Sequence, residues 1–221
     1  MKNQDYLYLD HAASTPMRKS AMDKYIEAES FGFANSSGGH KLSRNSKNLL
    51  EDSREVISEL FNSAPGEIIF TSGGTEADNW TIKSLFDSKI TNSNLVTSNI
   101  EHEAVLASAE WVSSNGFQTK YAKSDENGFV TKDEFIKQID DETIVASLMW
   151  GNNETGVIQP IKDISKELKS TNSSTLFHSD VVQGIISDNV DFHKNGIESA
   201  AISAHKIGAV SYTHLTLPTS R

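Results

Sequence analysis

The sequence predicts a three-layer α/β/α fold with a mainly parallel sheet, and three observations carry that prediction. Short apolar runs rich in β-branched residues alternate with longer stretches whose apolar residues recur every three or four positions. Such alternation implies strands joined by crossover helices, which makes neighbouring strands parallel. The clusters of Gly, Asn, His, Asp and Lys follow the apolar runs, at the strand ends where sheets of this kind bind ligands.

The elements follow in chain order. Residues 41–62 read as a helix, with Leu49, Leu50, Val56, Ile57, Leu60 and Phe61 on one stripe. Ile68–Phe70 reads as a strand, and 75–88 as the helix after it. Asn94–Thr97 is a strand followed by a helix over 101–114. Thr143–Met149 is the longest apolar run, followed by a helix over 160–170. Thr175–His178 and Ala200–Ser203 complete the strands. No internal repeat, low-complexity tract or linker interrupts residues 1–209.

Composition narrows the function classes. A hydrophobic content of 37 % with 23 % charged residues is that of a soluble globular protein and excludes disordered and fibrous classes. The net charge of -10 disfavours nucleic acid and anionic membrane surfaces, because phosphate binding draws its free energy from cationic side chains. The amino terminus lacks the apolar core of a signal peptide and no segment approaches a membrane span, which makes cytoplasmic the default location. The chain has no cysteine, so it offers neither a disulfide nor a thiolate nucleophile.

Four clusters carry chemistry. Thr71-Ser-Gly-Gly-Thr75 leads from an apolar run into a helix, so the N–H groups around Gly74 and the Thr75 hydroxyl could cradle a phosphate. A plain glycine turn with a threonine cap is the competing reading, and the spacing matches neither a Walker loop nor a dinucleotide fingerprint. His102 stands in the first turn of a helix, where the dipole favours a neutral ring able to stack on a flat cofactor; an exposed helix-start histidine is the alternative. Asn153 lies in a polar turn after Trp150 and could reach a ring oxygen, although asparagine suits any turn.

Thr175-Leu-Phe-His178-Ser-Asp180-Val-Val-Gln183 is more specific. A carboxylate at a buried strand end calls for a cation, and a protonated pyridine nitrogen is one. His178 and Asp180 as metal ligands form the competing reading, which gathers no third ligand by spacing. Lys206 follows the last apolar run beside Ser203 and His205, where the hydroxyl and imidazole could donate to a phosphate while the amine takes an aldehyde. Together these parts describe a pocket for pyridoxal 5'-phosphate.

The same residues carry a family resemblance. Tyr8-Leu-Asp-His-Ala-Ala-Ser-Thr-Pro16, Asn35-Ser-Ser-Gly-Gly-His40, Thr71 to Asn79, Glu101-His102, Asn152 to Val157, Asp180 with Gln183, and Ser203-Ala-His-Lys206 stand in the order and spacing of cysteine desulfurases, from about Asp5 to Ala209. The resemblance implies the large domain of the pyridoxal-phosphate-dependent transferase fold type I, incomplete at its carboxyl end. It implies that Lys206 is the aldehyde-binding lysine, that His102 stacks on the ring and assists proton transfer, and that Asp180 holds the pyridine nitrogen. Gln183 and Asn153 would contact the ring hydroxyl or the substrate, and Gly74, Thr75, Ser203 and His205 the phosphate. His11, Ala12 and Asn35 match substrate-pocket positions, whereas Tyr6 and Leu7 are read as packing.

The implied reaction removes sulfur from L-cysteine, releases alanine and passes the sulfur to an acceptor such as an iron-sulfur scaffold, in a homodimer. Its family requires a persulfide-forming cysteine, which this chain lacks. The resemblance to family members also ends after His205-Lys-Ile-Gly-Ala209. Residues 210–221 resemble a translated sequencing-library adapter, so the expected organisation is an arm (1–15), an incomplete cofactor-binding domain (16–209) and a non-native tail (210–221). A selenocysteine lyase, another lyase or aminotransferase of the same fold, and a non-catalytic truncated or scaffolding protein are the alternative readings.

Overall fold

The structure is a computed structural model, which describes residues 7–86, 92–171, 174–187 and 190–210. It divides into two compact units, one of Met1–Leu50 with Ser203–Arg221 and the other of Glu51–Ile202. The expected tail falls almost entirely on residues 211–221, outside the described part.

The unit 51–202 holds a five-stranded sheet in the order β2-β1-β3-β4-β5. Its strands are β1 (Asn94–Ser98), β2 (Gln118–Ala122), β3 (Thr143–Ser147), β4 (Leu176–Asp180) and β5 (Ser199–Ala201). Every pairing is parallel. The expected fold class is the observed one. The helices are α1 (Lys19–Phe31), α2 (Lys41–Leu60), α3 (Gly74–Ser84), α4 (Glu103–Ser114), α5 (Lys132–Ile136), α6 (Ile161–Ser170), α7 (Gly184–Ser187) and α8 (Phe192–Asn195).

Side-chain alternation along each strand separates two cores. Leu95 and Val145 join Ile82, Phe86, Val105, Ala109 and Val112 beneath α3 and α4. Val96 and Ala146 turn to the other face, where Phe135, Ile161, Ile164, Leu168 and Phe177 pack under α5 and α6. Both layers are therefore anchored by the same two central strands.

The helix ends of the second layer are built from local signals. Thr131 Oγ1 accepts from Glu134 N at 3.2 Å to start α5, and Asp191 Oδ1 accepts from Lys194 N at 2.9 Å to start α8. Gly196 ends α8 in the left-handed region (φ 71°), and a Cβ there would collide with the Ser165 hydroxyl. Gly196→Ala is thus expected to cost about 2 kcal/mol from backbone strain and the clash together, read as a lower urea midpoint with an unchanged slope.

Two expected strands need correction. Residues 68–70 form no ladder among the described residues, and Ile69 (62 %) and Phe70 (44 %) stand exposed. An apolar β-branched run becomes a strand only when a neighbour satisfies its backbone. Ile68 and Ile69 line a cavity of about 400 Å³ together with Ile57, Phe61, Leu176 and Ile202. The last strand is also shorter than the 200–203 run, ending at Ala201, so Lys206 stands on a 3-10 turn, Ala204–Lys206, and not on the strand itself.

Candidate active site

Parallel pairing places the carboxyl ends of β1, β3 and β4 along one edge of the sheet. Asp180 ends β4 and is buried, with Oδ1 accepting from Val182 N at 2.9 Å. This Asp turn bends the chain out of the sheet, and Gln183, half-buried, stands at its end before α7.

His102 caps α4. Its Nδ1 accepts from Ala104 N at 3.1 Å, which satisfies one of the unpaired amides of the first turn and fixes the ring as the tautomer protonated at Nε2. The ring is otherwise exposed. The imidazole expected at a helix start stands there as the cap of α4. His102→Ala is expected to cost about 1 kcal/mol through the lost cap, measurable by thermal unfolding without cofactor.

Gly74 and Thr75 open α3, with Thr75 exposed. In that turn the Glu76 carboxylate accepts from Ser72 N, which holds its pKa below the ordinary carboxylate range. Asn153 is an exposed turn residue. Its neighbour Asn152 is buried: Nδ2 donates to Ile100 O at 3.0 Å, and Oδ1 accepts from the N–H groups of Glu154 and Thr155 at 2.9 and 2.8 Å. Asn152 builds the turn that presents Asn153.

Sequence reasoning missed the polar layer beneath these residues. His178 is fully buried and stands two residues before Asp180. Its Nε2 lies 3.0 Å from Asp78 Oδ1 of α3 and its Nδ1 3.1 Å from Ser199 Oγ of β5, which in turn meets Thr81 Oγ1 at 2.9 Å. The bond from Asp78 ties the first turns of α3 to β4 just below Asp180. Both ring nitrogens of His178 are thus engaged with side chains of neighbouring elements. Glu101, beside His102, is the second omission. It is buried, and burial pushes its carboxyl up to about 8, against hydrogen bonds from Ser98 Oγ and Met149 N that favour the charged form.

The unit containing Lys206 has its own arrangement. The Lys206 ammonium donates to the carbonyl oxygens of Ala13, at 2.9 Å, and of Ala12. Thr15 bonds His205 O through both N (3.1 Å) and Oγ1 (2.6 Å), and Arg18 N donates to Gly208 O at 2.9 Å. The arm therefore wraps the 203–208 turn, and Ala12 meets Lys206 through its backbone. Ser203 Oγ lies 2.7 Å from His205 Nδ1, and burial followed by the Lys206 charge lowers the His205 pKa. His11 is exposed and sets its ring edge-on to Tyr8 at 5.1 Å. Asn35, also exposed, turns the chain by accepting from Ser37 N at 2.9 Å. Leu7 is 83 % exposed, contrary to a packing role, and Tyr6 lies outside the described residues.

The cysteine desulfurase IscS of Methanosarcina thermophila is 36 % identical over 201 residues, covering 90 % of this chain and 49 % of that protein. A putative cysteine desulfurase, IscS 1 of Bacillus subtilis, is 37 % identical over 202 residues, covering 91 % and 53 %. Among solved structures, SspA in complex with cysteine superposes with a TM-score of 0.87 at 30 % identity, covering 92 % of this chain and 58 % of that one. The chain spans about half the length of the curated relatives it matches. The model of one family, aminotransferase class-V, matches residues 7–211, and the chain belongs to that family.

Proposed function

We propose that the chain is the cofactor-binding part of a pyridoxal-phosphate-dependent cysteine desulfurase. The observation that carries this reading is the strand-end set of the unit 51–202: a buried Asp180, an exposed His102 whose Nδ1 caps α4, and the glycine turn at Thr75. This donor set fits the cofactor. It offers a carboxylate for a pyridinium, a flat ring for stacking and a helix N-terminus for a phosphate.

Pyridoxal 5'-phosphate, when bound, supplies an electron sink for breaking the Cα–H bond of an amino acid. Asp180 would keep the ring nitrogen protonated, and its turn bond to Val182 N would hold the carboxylate in place. His102 would stack on the ring and assist proton transfer, its ring held in place by the cap bond at Nδ1. Gly74, Thr75, Ser203 and His205 would bind phosphate, Gln183 and Asn153 the ring hydroxyl or substrate, and Lys206 the aldehyde. His11, Ala12 and Asn35 would shape the substrate side. L-cysteine is the proposed substrate. The thiol that accepts its sulfur must come from outside these residues, because the chain has no cysteine. A cytoplasmic homodimer that hands sulfur to an iron-sulfur scaffold completes the proposal; among the described residues no helix is long and apolar enough to cross a membrane.

Titrating the purified chain with pyridoxal phosphate tests the reading. A new band at roughly 400 to 430 nm is expected, the range of a protonated lysine imine. Asp180→Asn keeps the turn acceptor but loses the charge, so it is expected to weaken cofactor binding about 10- to 100-fold, as a charged hydrogen bond is worth about 1.5–3 kcal/mol. No band in folded wild-type protein would overturn the proposal.

A further inference from the structure

The turn that presents Asn153 is the tip of a short hairpin. Gly151 and Ile158 form an antiparallel bridge, Asn152 N donates to Val157 O at 3.0 Å, and Gln159 N donates to Trp150 O at 2.9 Å. At the root of the hairpin Trp150 N donates to Asp180 O at 2.8 Å, and nearer the tip Asn152 Nδ2 donates to Ile100 O at 3.0 Å. These two bonds tie it to the residue that ends β4 and to the segment that leads into His102.

The Gln159 side chain makes a third tie, to a different segment. It is buried, its Nε2 donates to Gly128 O at 2.9 Å and its Oε1 accepts from Val130 N at 2.9 Å. A backbone N–H only donates and a carbonyl only accepts, so one orientation of the carboxamide serves both. The segment it grips is held within itself: Asp125 Oδ1 accepts from Asn127 N and from Phe129 N, each at 2.9 Å, and Gly128 turns the chain in the left-handed region (φ 84°). Gly128 also lies against the hairpin, since a Cβ there would stand 3.3 Å from the Thr155 side chain. Thr155 N in turn donates to Asn152 Oδ1 at 2.8 Å, so the turn 125–130 backs the tip by a packing contact as well as by the carboxamide.

We propose that Gln159 is a positioning residue: its carboxamide latches the hairpin 150–159 to the turn 125–130 and so fixes Asn153 at the tip. The role of Asn153 toward the cofactor ring hydroxyl or the substrate rests on the function proposed above. The latch does not, since it concerns only the bonds to Gly128 and Val130. With the latch cut, the hairpin keeps its bonds to Asp180 O and Ile100 O and turns about them, so Asn153 loses its place while Asp180 and His102 keep theirs.

The first measurement is amide hydrogen exchange of the full chain by nuclear magnetic resonance, without cofactor. The Val130 amide is expected to be protected to within about threefold of the Glu154 and Thr155 amides, because all three are freed when the hairpin lifts as one unit. A Val130 amide protected less than about a tenth as well as those two overturns the latch, and this arm needs no variant. In folded Gln159→Ala the amide signals of Asn153, Glu154 and Thr155 are expected to shift, while those of Val182 and Ala104, which bond Asp180 and His102, stay in place. Unmoved Asn153 signals in that variant overturn the proposal, because a residue that only adds stability would leave them so. Titration with pyridoxal phosphate then tests the action on the pocket. Gln159→Ala and Asn153→Ala are each expected to weaken binding about 3- to 10-fold, the worth of one hydrogen bond, and the double variant no more than either alone. Losses that multiply in the double variant overturn the positioning role. An absent cofactor band in the wild type, with the amide results as expected, sinks the cofactor reading and leaves the latch.

Discussion

Lys206→Ala is expected to abolish the absorbance band that pyridoxal phosphate produces with the wild-type chain. An imine to the cofactor needs a primary amine, and no neighbouring side chain on the 3-10 turn Ala204–Lys206 offers one. The alanine variant also removes the bonds to the carbonyl oxygens of Ala12 and Ala13, so by itself it would confuse a chemical loss with a loosened arm. Lys206→Arg separates the two. Arginine keeps the charge and can still donate to both carbonyls, but its guanidinium does not condense with aldehydes under these conditions. Both variants are expected to lose the band entirely, while only the alanine variant shows easier proteolysis of the arm. A band that survives in Lys206→Arg would assign the amine to another lysine and remove Lys206 from the chemistry.

Asp78→Ala is expected to lower the stability of the unit 51–202 by about 2–4 kcal/mol. The carboxylate is the partner of a fully buried imidazole, and removing it strands Nε2 of His178 where no water reaches. The second ring nitrogen keeps Ser199, so the loss concerns one bond and not the whole layer. Asp78→Asn tests the assignment, because an amide oxygen can still accept at the same place and should recover at least half of the loss. Urea unfolding followed by tryptophan fluorescence reads both, with Trp150 buried in the core to report. If alanine costs less than about 0.5 kcal/mol, the surface-like figure, the pair contributes nothing that a neighbour could not replace.

The parallel sheet was legible because buried strands such as Asn94–Ser98 and Thr143–Ser147 are apolar on both faces, and because the helices between them carry a clear stripe. What escaped is what lacks that signature. The strand β2 reads Gln-Thr-Lys-Tyr-Ala, an edge strand exposed along much of its length, and α1 buries no residue at all. Helix α5 has only five residues, too few for a period. Residues 68–70 failed in the opposite direction, since their apolar character speaks of a neighbour that the described residues do not supply.

The candidate site divides in the same way. Asp180, His102 and Thr75 were visible because strand ends and helix starts are visible. The partner of His178 was not, as Asp78 lies 100 positions away and no spacing rule connects them. Glu101 entered the sequence reading only as a neighbour of His102, whereas its side chain is buried and accepts from Met149 N. Asn152 and Asn153 are interchangeable in sequence, and only the turn geometry assigns the buried one to structure and the exposed one to the surface.

The cap made by His102 couples a helix to a proton. While Nδ1 accepts from Ala104 N, the ring hydrogen sits on Nε2 and a second proton can add only at Nδ1. A proton arriving at Nδ1 would turn an attraction into a repulsion between two N–H groups, and the first turn of α4 would fray. The mechanical state of that turn thus becomes a gauge of ring protonation. Slow amide exchange at Ala104 would signal a ring that is bare at Nδ1, and fast exchange a ring that has taken a second proton, so a backbone amide can report on side-chain chemistry with no substrate present.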